Sequence, residues 1–188
     1  DSYLLEASYL NWTGKITDAI NILDKGIAEI TDSTTRVKLM AAQAGLFEYQ
    51  KAYRNATEVL KRALEYNSSK REGAILNYKI GLNLSLMGNP QSEYFYEQSV
   101  RQATENGDTA MACEFMRNYA DYLSNNGKYQ RSNDMYYQIG KMMPEVAELS
   151  AIQVAMAGNY INLHKIDSAR ICNEKAIESE AKLEAKGF

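Results

Sequence analysis

The sequence predicts an all-α chain, an α-α superhelix (solenoid) of about five tandem helix-turn-helix repeats and about ten helices. Three observations predict it. The first is self-similarity: "GKITDAINILDKGIAEI" from Gly14, "KAYRNATEVLKRALEYN" from Lys51, "GNPQSEYFYEQSVRQAT" from Gly88, "GKYQRSNDMYYQIGKMMP" from Gly127 and "HKIDSARICNEKAIESE" from His164 are one pattern written five times. The second is its spacing, because the small residues Ala19, Ala56, Ser92, Ser132 and Ala169 recur after 37, 36, 40 and 37 residues. The third is that only two prolines, Pro90 and Pro144, interrupt 188 residues, which leaves long segments free to be helical.

Each element follows from that pattern. In every unit a turn residue, often Gly, is followed by a bulky residue and then by the small one. Seven residues later, two turns of helix, stand Gly26, Ala63, Ser99, Ile139 and Ala176. A second helical stretch precedes each turn. It carries a small residue seven or eight places ahead, at Ala7, Ala44, Gly81, Ala120 and Ala157, and a large apolar one three residues on, at Leu10, Phe47, Leu84, Leu123 and Tyr160. Small residues let two helices approach while large ones fill the space beside them, so every unit reads as a helical hairpin. The spacing predicts helices over 2–13, 16–31, 34–49, 52–67, 70–87, 91–106, 109–125, 129–142, 145–162 and 166–184, with polar caps in Thr31-Asp32-Ser33-Thr34 and Asn67-Ser68-Ser69. The hairpins make one repeat domain over 1–188, with units at about 1–32, 33–68, 69–107, 108–144 and 145–184.

This pattern resembles the tetratricopeptide repeat family, with "YADYLSNNGKYQRSNDMYY" closed by Pro144 as its best match and "LSLMGNPQS" next. The resemblance covers nearly the whole chain. It departs from the family where Tyr3, Met40, Asn77, Met116 and Gln153 stand in place of the first-helix tryptophan, where Lys51 and His164 replace turn glycines, and where Ile139 replaces a small residue. The period also exceeds the family's usual value of about 34 residues, so helices or loops are expected to be longer.

Composition narrows the function. With 21 Lys and Arg against 24 Asp and Glu, the net charge of -3 supplies no basic field for a phosphate backbone, and no nucleic acid is expected. No apolar run reaches the roughly 18–20 residues of a membrane span. Starting at Asp1, the chain is expected to be processed or excised from something longer. The compartment stays open, with the periplasm or cell envelope favoured over the cytoplasm.

The only histidine, His164, and one of the two cysteines, Cys172, lie close together in the sequence. A zinc site needs three or four converging ligands, and a Cys-His pair needs an orienting group and oxyanion donors. Neither requirement is met nearby, so His164 reads as a repeat turn and Cys172 as a small helix residue. No catalytic residue, metal ligand or cofactor is expected, and the chain is not expected to be an enzyme.

The resemblance implies a protein-interaction scaffold that takes a peptide, helix or protein partner on the first helices of successive units. Outward residues there would be Trp12, Glu48, Tyr49, Tyr78, Leu82, Arg117, Asp121 and Asn125. Family arrays that grip acidic chaperone tails use Lys, Arg and Asn on these faces; Leu4, Ser8, Ala41 and Gly45 stand there instead, so that activity is not expected. The alternative reading is the sensory or regulatory repeat domain of a larger bacterial envelope signalling protein or transcriptional regulator. No covering helix follows the last hairpin, which leaves Ile171, Cys172 and Ile177 as candidates for an uncovered face. The expectation is therefore either a longer protein or a homodimer formed through a repeat end.

Overall fold

A computed structural model describes residues 2–147 and 149–185, with the backbone alone at 146, 147 and 183. The first and last positions of the expected domain, Asp1 and Phe188, lie outside the described residues. Among those described, the chain has ten helices of eleven residues or more, one four-residue helical turn and no strand. The first compact unit, Asp1–Asn106, contains α1 (Ser2–Trp12), α2 (Ile16–Glu29), α3 (Ser33–Tyr49), α4 (Tyr53–Tyr66), α5 (Lys70–Leu86) and α6 (Ser92–Glu105). The second, Gly107–Phe188, contains α7 (Thr109–Asn125), α8 (Tyr129–Met142), α9 (Pro144–Ala147), α10 (Ser150–Asn162) and α11 (Ile166–Glu184). None of these helices is long and apolar enough to cross a membrane.

All five hairpins turn by the same device. Gly14, Lys51, Gly88, Gly127 and His164 each have positive φ, between 57° and 79°. The amide after each bonds back five residues, in Lys15 N–H to Leu10 O (2.8 Å), Ala52 to Phe47 (2.8 Å), Asn89 to Leu84 (2.9 Å), Lys128 to Leu123 (2.8 Å) and Lys165 to Tyr160 (2.9 Å). This is the Schellman closure of a helix, whose left-handed residue glycine adopts most readily. Lys51 and His164 adopt it with side chains, as the repeat register requires.

Within each unit, first helices pack on their own second helix and on the second helix before. The contacts are α1–α2–α3–α4–α5–α6 in one unit and α7–α8–α10–α11 in the other. The small positions are the points of approach: Ala19, Ala44, Ala56, Gly81, Ala120 and Ala157 are buried, and so are the serines at 92 and 132. Four residues after the second-helix small residue of the first four hairpins, Leu23, Leu60, Tyr96 and Tyr136 are almost wholly enclosed, whereas Asn173 in the fifth is exposed. Burial of side chains of this size contributes about 1.5–3 kcal/mol each. The core of the first unit runs from Ala7 to Leu84 without a break in kind.

Asp32, Ser69 and Asp108 cap α3, α5 and α7 by accepting from Thr35 (2.7 Å), Glu72 (3.3 Å) and Met111 (3.1 Å) amides. The expected single helix over 145–162 is broken instead. α9 packs on α8, Leu149 is extended (φ −59°, ψ 133°), and α10 starts at Ser150 with no side-chain cap. An extended backbone at Leu149 cannot continue a helix, so the first turn seen in α3, α5 and α7 is here a separate piece.

Candidate partner-binding surface

The first helices α1, α3 and α5 of the N-terminal unit end at Trp12, Tyr49 and Leu86, which occupy one place in three successive hairpins. All three are exposed, by 84%, 75% and 56%. Trp12 and Tyr49 are two of the side chains expected on this face. Leu86 was missed, although its step of 37 residues from Tyr49, equal to that from Trp12 to Tyr49, would have found it.

The remaining expected residues divide by what they touch. Glu48 is half-buried and already engaged: Lys79 Nζ lies 3.2 Å from Glu48 Oε2, and Asn83 Nδ2 donates to Oε1 at 2.9 Å. It joins α3 to α5 and is a structural pair more than a free contact. Tyr78 is half-buried, its ring edge-on to Tyr96 with centroids 6.2 Å apart, and Leu82 is half-buried one turn along α5. In the second unit Arg117, Asp121 and Asn125 share one exposed face of α7. Asp121 accepts the Tyr136 hydroxyl at 2.5 Å. Burial and that carboxylate push the Tyr136 phenol far above its usual range, so it stays a donor.

Gly45 lies mid-helix in α3, and a methyl group placed on it would meet nothing within 4 Å. The same addition at Gly81 would press on Tyr96 N (3.2 Å) and Ser92 O (3.3 Å), so Gly81 is a packing glycine and Gly45 is not. Around Gly45 stand Leu4, Ser8 and Ala41 at equivalent or neighbouring repeat places, and none of them carries a charge.

In the second unit a cleft of about 430 Å³ opens between α8, α10 and α11, lined by Tyr137, Met156, Tyr160, Cys172, Lys175 and others. The Tyr137 and Tyr160 hydroxyls meet at 2.6 Å. Behind it Asn159 is fully hydrogen-bonded, donating to Ser132 Oγ (2.9 Å) and Asn133 Oδ1 (2.8 Å) and accepting from Ser124 Oγ (2.6 Å). Cys172, expected on an uncovered face, is buried beside this cleft, whereas Ile171 and Ile177 are 50% and 69% exposed. Burial pushes the Cys172 and Cys113 thiols up, the opposite of what activates a nucleophile. His164 is exposed in its turn, and the described residues hold no cluster of three or more His, Cys, Asp or Glu that could bind a metal.

Solved structures share this architecture. The chain is similar to nearly identical TPR-like repeats from Podosopora anserina, with a TM-score of 0.77 at 15% identity over 97% of this chain and 95% of that one. The fold is that of tetratricopeptide repeats. MamA is similar with a TM-score of 0.77 at 15% identity, covering 96% of each chain. YrrB, described as a TPR protein with an unusual peptide-binding site, has a TM-score of 0.71 at 16% identity over 99% of this chain and 91% of its own. No family model and no curated protein sequence matches the chain.

Proposed function

We infer that the chain is a non-enzymatic protein-interaction scaffold, and that the outward faces of its first helices take a segment of a partner protein. The observation that carries this reading is the row Trp12, Tyr49 and Leu86, three large apolar groups left in water at one repeat position. Aromatic side chains held on rigid helices are the anchors that dominate protein interfaces. The tetratricopeptide-repeat fold supports the reading, as does the peptide-binding site named for YrrB. With net charge -3, nucleic acid is not a proposed partner.

A second contact is proposed through a repeat end. Ile177 is 69% exposed, whereas its counterpart Ile27 is buried and Leu64 and Val100 are half-buried. A second copy covering that face would make a homodimer, and sedimentation of a strict monomer at high concentration would remove this part.

The main reading is tested by selecting displayed random peptides on the wild-type chain and measuring those recovered against Tyr49→Ala and Arg117→Ala variants. Peptides that bind the wild type and weaken about tenfold on at least one variant are expected, a difference of about 1.4 kcal/mol. An empty selection, or peptides indifferent to both substitutions, would contradict the reading.

A further inference from the structure

We propose that the cleft between α8, α10 and α11 is a binding site for a small aromatic carboxylate. It lies wholly in the second unit, uses none of the residues of the row Trp12, Tyr49 and Leu86, and stands or falls independently of the scaffold reading.

The cleft opens where the fourth hairpin inverts the repeat. Near the end of the other second helices a small residue precedes a large one, in Gly26-Ile27, Ala63-Leu64, Ser99-Val100 and Ala176-Ile177, but here the order is Ile139-Gly140. Ile139 is fully buried, and Gly140 lines the cleft. In the first unit the large residues are packed: Ile27 belongs to the core and Leu64 lies against it. Their counterparts on the following second helices, three residues after the small position, are Val59 and Phe95, and both are packed there too. Phe95 faces the preceding second helix, because the Lys61 ammonium lies over its ring, 5.5 Å from the centroid. The last hairpin has Cys172 at that place, and Ser179 where Tyr66 and Gln102 stand. Glycine, cysteine and serine thus replace the bulky groups on both walls. The space left is about 430 Å³, inside the range of about 300–1,000 Å³ typical of small-molecule sites.

The walls select an aromatic body. Tyr137 takes the place that the charged Asp24, Lys61, Glu97 and Glu174 hold in the other hairpins, and Tyr160 takes that of Leu10, Phe47, Leu84 and Leu123. Both line the cleft beside Met156. Phenol rings meet a flat ring edge-on or offset, and a thioether adds contact at a ring edge; an alkyl chain gains neither.

Charge selects the head group. Lys175 and Lys182 line the cleft from α11, are exposed, and make no ion pair among the described residues. Glu178 on the same wall leaves an excess of one positive charge. The Tyr137 and Tyr160 hydroxyls lie 2.6 Å apart, and their mutual bond uses one of their two hydrogens, so the other is free to donate to a carboxylate.

The test titrates the chain with naphthoate, with its neutral isostere naphthamide, and with decanoate as an aliphatic carboxylate, by calorimetry and by amide NMR shifts. Naphthoate is expected to shift Gly140 and Ser179 and to bind about tenfold more tightly than either of the others. Gly140→Ile, which restores the large residue of the other hairpins, should weaken naphthoate at least about tenfold without lowering the melting temperature. Replacing Lys175 and Lys182 together by Gln should bring naphthoate to the affinity of naphthamide and leave naphthamide unchanged. Should Gly140→Ile fail to fold, this exposed double substitution decides the matter. No naphthoate binding up to about 1 mM, equal binding of naphthamide or decanoate, shifts confined to residues outside the cleft, or indifference to the double substitution would overturn the proposal.

Discussion

His164 holds a left-handed backbone, φ +57°, that an L side chain adopts at a cost of roughly 1–2 kcal/mol, and in return closes its helix by the Lys165 to Tyr160 hydrogen bond. His164→Gly should therefore stabilise the fold by about 0.5–1 kcal/mol, glycine's greater unfolded-state freedom cancelling part of the relief. Urea unfolding checks it, and a loss of stability would mean that the imidazole packs in a way the exposed turn does not indicate. Ser92 offers the opposite kind of residue: fully buried, its hydroxyl has no hydrogen-bond partner among the described residues, and the equivalent places hold Ala19, Ala56 and Ala169. Ser92→Ala should raise stability by about 1 kcal/mol, read from the same denaturation curve. The turn role of His164 was legible from repeat register alone, because backbone closure depends on position in the hairpin. The engagement of Glu48 by Lys79 and Asn83 was not, since it depends on side chains 31 and 35 residues away whose approach no local pattern encodes.

At the scale of elements, helix ends were legible where a polar cap marks them. Caps were expected in the polar stretches 31–34 and 67–69, and within them Asp32 and Ser69 supply the bonds. The break before α10 was not foreseen, because Leu149 carries no capping signal and Pro144 reads equally well as the first residue of a long helix. Two glycines of α3 and α5 give a paired prediction. Gly45→Ala should stabilise by about 1 kcal/mol, since alanine favours helix and nothing lies within 4 Å. Gly81→Ala should destabilise by about 1 kcal/mol or more, because the added methyl meets backbone atoms of α6 that cannot move aside independently. Thermal unfolding of both variants decides it; a shift of the same sign in both would deny that the small positions of the first helices set the helix approach.

At the scale of the whole chain, the all-α repeat architecture was legible because every hairpin repeats the same small, large and turn positions. The similarity to TPR-like solved structures at about 15% identity supports the view that this pattern, more than particular residues, specifies the fold. The division into two compact units at Asn106 and Gly107 falls where one expected repeat ends. Local patterning carries no sign of such a division, since the same small, large and turn positions recur through both units. The repeat register is the proposition on which the rest stands, including the equivalence of Trp12, Tyr49 and Leu86. Backbone chemical shifts and couplings measured by NMR test it most directly. Helical shifts are expected over the ten long segments, with left-handed couplings at Lys51 and His164 as at Gly14, Gly88 and Gly127; strand shifts, or helix running unbroken through residue 51 or 164, would overturn the repeat register.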